Sequence, residues 1–217
     1  CDAVDGSMDA MSGLTSQPNL GSIVEALRHG ERDTGLAADS VRAISRYWEG
    51  VRRFYAPFES DIRSGTADVY RHAMPGGQDT NLREQARSLG IERRWPDVAR
   101  HYAEVNEMFG DIVKVTPTSK VVGDMALFMV TSGLTAEDVM DPEKEIAFPE
   151  SVIQLFRGDL GQPPGGWPPA LQAKVLGGEK ADTSRDAELS DAGRSRAVHL
   201  AKLLQDADVE YVHSTDF

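Results

Sequence analysis

Apolar residues along this chain recur mostly at helical spacing, with only short stretches that alternate as strands do. Ile23, Val24 and Leu27 share one face and predict a helix over 20–28, after a loop over 12–18. Val41, Ile44, Trp48, Val51 and Tyr55 predict a second helix, with Asp39 or Ser40 as its cap. A third spans 81–89 and closes at Gly90. A fourth spans 96–109, with proline in its first turn and Gly110 just past its end. Val121, Val122, Met125, Ala126 and Met129 line one face of a helix over 119–130, stopped by Gly133. Shorter helices are predicted at 135–139, 149–157 and 170–176, with a rigid loop over 161–169 that holds four prolines and three glycines.

Two stretches read as strands: 2–5, and 111–115 with its β-branched Ile112, Val113 and Val115. Past Gly177 the pattern changes. A polar loop over 181–188 leads to a helix over 190–204, with Ala197, Leu200, Ala201 and Leu204 on one face, and then to a strand over 209–214. The fold class expected is mainly α with few strands.

Composition narrows the field of partners. The 217 residues carry 23 basic and 35 acidic side chains, a net charge of −12. Such a surface repels nucleic-acid phosphates and anionic membranes, so neither is an expected partner. No apolar run approaches the roughly 20 residues of a membrane span, and no signal peptide is visible. Cys1 is the single cysteine, so no disulfide forms within the chain. That usage fits a reducing compartment and a cytoplasmic location. The chain opens without an initiator Met on Cys1-Asp2-Ala3-Val4-Asp5, which reads as the inside of a strand and hence as part of a longer protein.

One stretch carries candidate chemistry: Asp111 through Val115, then Thr116-Pro117-Thr118-Ser119-Lys120. Pro117 biases Thr116 toward extended geometry, placing it at the end of a strand just before a helix capped by Thr118 or Ser119. Free N–H groups at that helix start favour anions and polarised carbonyls. A hydroxyl, the Lys120 ammonium and a helix N-terminus together suit a polar ligand; a plain capping turn is the alternative. Met74-Pro75-Gly76-Gly77-Gln78 is a tight helix entry. Arg28-His29-Gly30-Glu31 spells a histidine phosphatase signature, but it follows a helical pattern where that family has a strand, and Gly30 reads as a helix stop.

In chain order, several phrases resemble the pyruvate carboxylase family over about residues 1–180. They include Met8-Asp9-Ala10-Met11-Ser12-Gly13-Leu14-Thr15-Ser16-Gln17-Pro18, Tyr47-Trp48-Glu49, Ala56-Pro57-Phe58-Glu59 and Met74 to Gln78. Further matches are Glu84 to Gly90, Phe109 to Met129 and Phe148 to Trp167. The resemblance implies the end of a TIM-type (α/β)8 barrel over 1–28 and part of a helical funnel domain over 29–180. It implies a biotin-dependent carboxyltransferase that moves CO2 from carboxybiotin, borne on a carrier domain not in this chain, to pyruvate, giving oxaloacetate. Thr116 is then the catalytic proton shuttle between the pyruvate methyl group and the biotin ureido group, while Ser119 and Lys120 help hold biotin. The family assembles as tetramers of much longer chains.

The departures also count. The family's divalent metal is held by an Asp, a carboxylated Lys and a His-x-His pair, all expected upstream of Cys1 together with the substrate-holding arginine. Here His29, His72, His101, His199 and His213 are isolated and read as surface or capping residues, so the chain alone is expected to be inactive. Asp79 stands where the family usually has an aromatic residue. From a junction near 178–180, the segment 181–217 resembles the histidine phosphatase superfamily through Leu189 to Ala197 and Val212 to Phe217, without that family's phosphoryl-accepting histidine. This unrelated βα tail is expected to pack poorly. Three readings stay open: a carboxyltransferase segment, a phosphatase using His29, and a non-catalytic helical binding module.

Overall fold

The computed structural model describes residues 3–181 and 191–205. These are helical: α1 (Leu20–Leu27), α2 (Ala38–Arg52), α3 (Val69–His72), α4 (Gly76–Ser88), α5 (Trp95–Met108), α6 (Thr118–Ser132), α7 (Ala136–Met140), α8 (Glu150–Arg157), α9 (Pro169–Leu176) and α10 (Asp191–Gln205). No strand forms among the described residues, which corrects the strand predicted at 111–115 and, over its described residues 3–5, the one predicted at 2–5; a lone parallel bridge joins Ser7 and Asn19. β-branched residues favour an extended backbone, but a strand also needs a neighbouring edge to pair with. The strand predicted over 209–214 lies outside the described residues. No helix among those described is long and apolar enough to cross a membrane. The chain divides into two compact units, Cys1–Ala103 and Glu104–Phe217.

In the first unit, α1 and α2 pack with a 3-10 turn over Asp9–Met11. Asp9 ties that turn to α1 by accepting a hydrogen bond from the Gly21 amide at 2.8 Å. A side chain at Gly21 would press its Cβ against the Asp9 carboxylate, which would have to shift and give up its bond to the Gly21 amide. Asn19 caps α1 by accepting from the Ser22 amide at 2.7 Å. Neither Asp39 nor Ser40 caps α2; the helix starts at Ala38, and Asp39 pairs with Arg42 instead. Tyr55 lies beyond the end of α2.

α4 begins five residues before the predicted 81–89 helix, at Gly76. The Thr15 carbonyl oxygen sits 1.7 Å from where a Cβ on Gly76 would be, so the loop backbone can approach only a glycine. Asp79, the departure from the expected aromatic, is buried and bonds the Arg83 guanidinium at 2.6 Å, which itself lies 4.0 Å over the Trp95 ring. The ion pair offsets the cost of burying a carboxylate.

His72 and His101 are buried, which corrects the surface part of their reading as surface or capping residues. His72 Nδ1 accepts a hydrogen bond from the Met74 amide at 3.0 Å. Burial holds the His72 imidazole below its ordinary pKa, against the pull of Asp79 and Asp68. It is therefore neutral when folded and gains its proton more readily when unfolded. Its contribution to stability is complete above the unfolded value of roughly 6.5 and is lost as pH falls through the folded value. The melting temperature of the wild type should drop more between pH 7.5 and 5 than that of His72→Asn, which keeps an acceptor for the Met74 amide. Parallel curves from thermal scans would contradict this assignment.

The second unit is organised by α6, which packs on α8, and α8 in turn packs on α9. Val121, Val122, Met125, Ala126 and Met129 are buried, as their spacing predicted. Gly133 ends α6 and Gly158 ends α8, both left-handed at φ +66° and +104°. The aromatic centre is Phe156, edge-on to Phe109 at 4.9 Å and tilted against Trp167 at 4.7 Å. Thr135 and Asp138 form a capping box at the start of α7. Lys174 on α9 donates to the Val139 carbonyl at 2.8 Å and to that of Asp141, closing the other end of α7. In α10, Ala197, Leu200 and Ala201 are exposed.

Candidate active site at the start of α6

The segment 110–120 is built to present a turn. Gly110 and Asp111 are both left-handed, at φ +95° and +53°, and turn the chain out of α5. Asp111 is fixed there by the Asn106 side-chain amide at 2.6 Å and, through its own amide, by the Asn106 carbonyl at 2.8 Å. Ile112 is buried and Lys114 largely covered, whereas Val113 and Val115 are 71% and 53% exposed. The alternation read from the sequence is therefore present in space, without a paired strand.

The Thr118 hydroxyl closes the turn. It lies 2.7 Å from the Val113 carbonyl and 2.6 Å from that of Val115, donating to one at a time, and it accepts the Val115 amide at 3.2 Å. This replaces the predicted capping role, since neither Thr118 nor Ser119 is the cap; Pro117 holds that position. The amides of Ser119 and Lys120 donate to the carbonyls of Val115 and Pro117. Fewer free N–H groups remain at the helix start than the sequence alone implied.

The three predicted site residues lie within five positions of one another but face different surroundings. Thr116 is exposed, joined to Pro117 by a cis peptide bond, and its hydroxyl has no protein partner among the described residues. Lys120 is also exposed; its ammonium pairs with Asp124 Oδ2 at 2.7 Å. Ser119 is buried, with 3% of its surface exposed. Sequence reasoning missed two neighbours. Asp124 lies one turn beyond Lys120, and Ser151 on α8 donates to the same Asp124 oxygen at 2.8 Å. The Lys120/Asp124 spacing was a readable signal; the contact to Ser151 was not.

His29 sits at φ +62° in the turn after α1, exposed, with its backbone amide bound to Asp33 at 2.8 Å. The left-handed stop is thus His29 rather than Gly30, and the segment follows a helix. Among the described residues no group of three or more His, Cys, Asp or Glu side chains converges as a metal site.

Residues 69–215 match the family model described as the conserved carboxylase domain. The chain belongs to that carboxylase family. It is 49% identical over 189 residues to pyruvate carboxylase 1 of Caenorhabditis elegans, covering 86% of this chain and 16% of that one. It is 46% identical over 188 residues to pyruvate carboxylase of Bacillus subtilis, covering 87% of this chain and again 16% of that one. It aligns in space with the carboxyl transferase domain of Rhizobium etli pyruvate carboxylase solved with pyruvate and biocytin. That match has 59% identity and a TM-score of 0.81, and covers 94% of this chain and 35% of that one. This member of the carboxylase family thus corresponds to part of a carboxyltransferase domain, and spans 16% of the curated relatives' length. The family match runs through residue 215, across most of the segment 181–217 that the sequence pattern sets apart as an unrelated tail. Much of that segment lies outside the described residues.

Proposed function

We propose that this chain supplies the proton-relay edge of a carboxyltransferase site that moves a carboxyl group from carboxybiotin to pyruvate, giving oxaloacetate. The observation that carries this is Thr116: an exposed hydroxyl with no protein partner among the described residues, held at a braced turn. A hydroxyl both donates and accepts a hydrogen bond, so it can take a proton from the pyruvate methyl group while passing its own onward, without becoming charged itself. Biotin, when bound, brings the carboxyl group and a ureido group that receives a proton. The exposed Thr116 and Lys120 fit such a ligand, Lys120 through a charge-assisted hydrogen bond. Ser119 is buried, and its part in this reading is to anchor the first turn of α6 beneath the other two. No ligand group for a divalent metal converges among the described residues, and no step here runs through one.

Residues 1–28 stand in this reading as the end of an (α/β)8 barrel, and the helices that follow as its funnel. The partners are pyruvate or oxaloacetate and a biotin carrier domain, in an oligomeric, cytoplasmic enzyme. The test places residues 3–181 of this chain in the Rhizobium etli carboxyltransferase domain, in exchange for its matching segment. The grafted domain should decarboxylate oxaloacetate in the presence of biocytin. Lys120→Ala should raise the KM for biocytin roughly 10-fold or more, the usual cost of a lost hydrogen bond to a charged group. A folded graft that binds pyruvate but shows no biocytin-dependent turnover would overturn the reading.

A further inference from the structure

We infer that Asp124, fixed from α8 by Ser151, is a positioning residue that aims the Lys120 ammonium at the biotin head group. The inference rests on the reading of Lys120 given above. Lys120 is 57% exposed, and a lysine side chain that free samples many rotamers. An exposed i,i+4 pair on a single helix seldom restrains it, because both partners move. Here one partner is held. Asp124 is 20% exposed, and its Oδ2 accepts the Ser151 hydroxyl from a second helix at 2.8 Å. The same oxygen receives the Lys120 ammonium at 2.7 Å. An ammonium carries three N–H donors, so one bond to Asp124 leaves two for a ligand. The carboxylate thus gives the ammonium a direction as well as a counter-charge, at the first full turn after Thr116.

A purely structural role, bridging α6 to α8, is the competing account. Asp124→Asn separates the two: the amide oxygen still accepts from Ser151, while the charge facing Lys120 is gone. The first measurement uses the full 217-residue chain with its lysines dimethylated with carbon-13, and Lys120 assigned through Lys120→Arg. The Lys120 methyl signals should be inequivalent in the wild type and merge in Asp124→Asn, with an unchanged far-ultraviolet spectrum.

The second measurement titrates biocytin by calorimetry onto the grafted domain. Asp124→Asn should weaken binding roughly 3- to 30-fold, and Ser151→Ala less, since each loosens rather than removes a charged hydrogen bond. In a Lys120→Met background Asp124→Asn should add nothing, because the two act as one unit. Weaker biocytin binding in Lys120→Met without a change in Asp124→Asn overturns the positioning role and leaves the reading of Lys120 standing. Unchanged binding in Lys120→Met overturns the reading of Lys120 itself.

Discussion

Truncating Phe156 to alanine is expected to lower the unfolding free energy by about 3–5 kcal/mol, the usual range for a large aromatic removed from a packed core. Phe156 is fully buried and sits between Phe109 and Trp167, with ring centroids 4.9 and 4.7 Å away. Its backbone carbonyl also accepts the Gln172 side-chain amide from α9 at 2.8 Å. The cavity left by alanine would be walled by two rigid rings, so little collapse can offset it. Phe156→Leu should cost less, because most of the volume is kept. Tyr70→Ala, at a site 91% exposed, should stay within about 0.5 kcal/mol of wild type. Urea denaturation followed by circular dichroism ranks the three; a Phe156→Ala cost near that of Tyr70→Ala would mean that the aromatic centre does not form.

Much of the helical framework was legible because it obeys local rules. The Val121, Val122, Met125, Ala126, Met129 stripe and the stop at Gly133 place α6 almost to the residue. The start of α4 was not legible. A Gly-Gly pair argues against a helix locally, and the reason for its first glycine, Gly76, is the Thr15 backbone, some sixty residues earlier in the chain. The stretch 111–115 shows a different limit. Ile112 and Lys114 point inward while Val113 and Val115 face out, so the alternation correctly marks extended backbone. Alternation carries no information on whether a second strand is there to pair with.

The site was legible to a similar depth. Pro117 is enough to put Thr116 in a turn ahead of a helix. The chemistry proposed for Thr116 comes from the resemblance in the surrounding words and not from its spacing. The burial of Ser119 depends on how α6 sits in its unit, and the restraint on Asp124 depends on Ser151, 27 positions away. Neither follows from spacing along one helix. His72 and His101 were misjudged for the same cause: an isolated histidine gives no periodic signal, and its burial is decided by the elements around it.

The proton relay itself is tested most directly at Thr116, by steady-state kinetics of biocytin-dependent oxaloacetate decarboxylation in the grafted domain. Positioned acid–base groups contribute roughly 10²- to 10⁴-fold to rate, and the hydroxyl is the only group that alanine removes and serine restores. Thr116→Ala should therefore lower kcat by roughly that factor, leaving KM for oxaloacetate and biocytin within about 3-fold, since an interaction made only in the transition state is lost. Thr116→Ser should recover kcat to within about 10-fold of wild type on the same reasoning. The contradicting result is a Thr116→Ala domain that keeps its kcat, or one whose loss lies entirely in KM, because Thr116 would then shape the pocket without moving the proton.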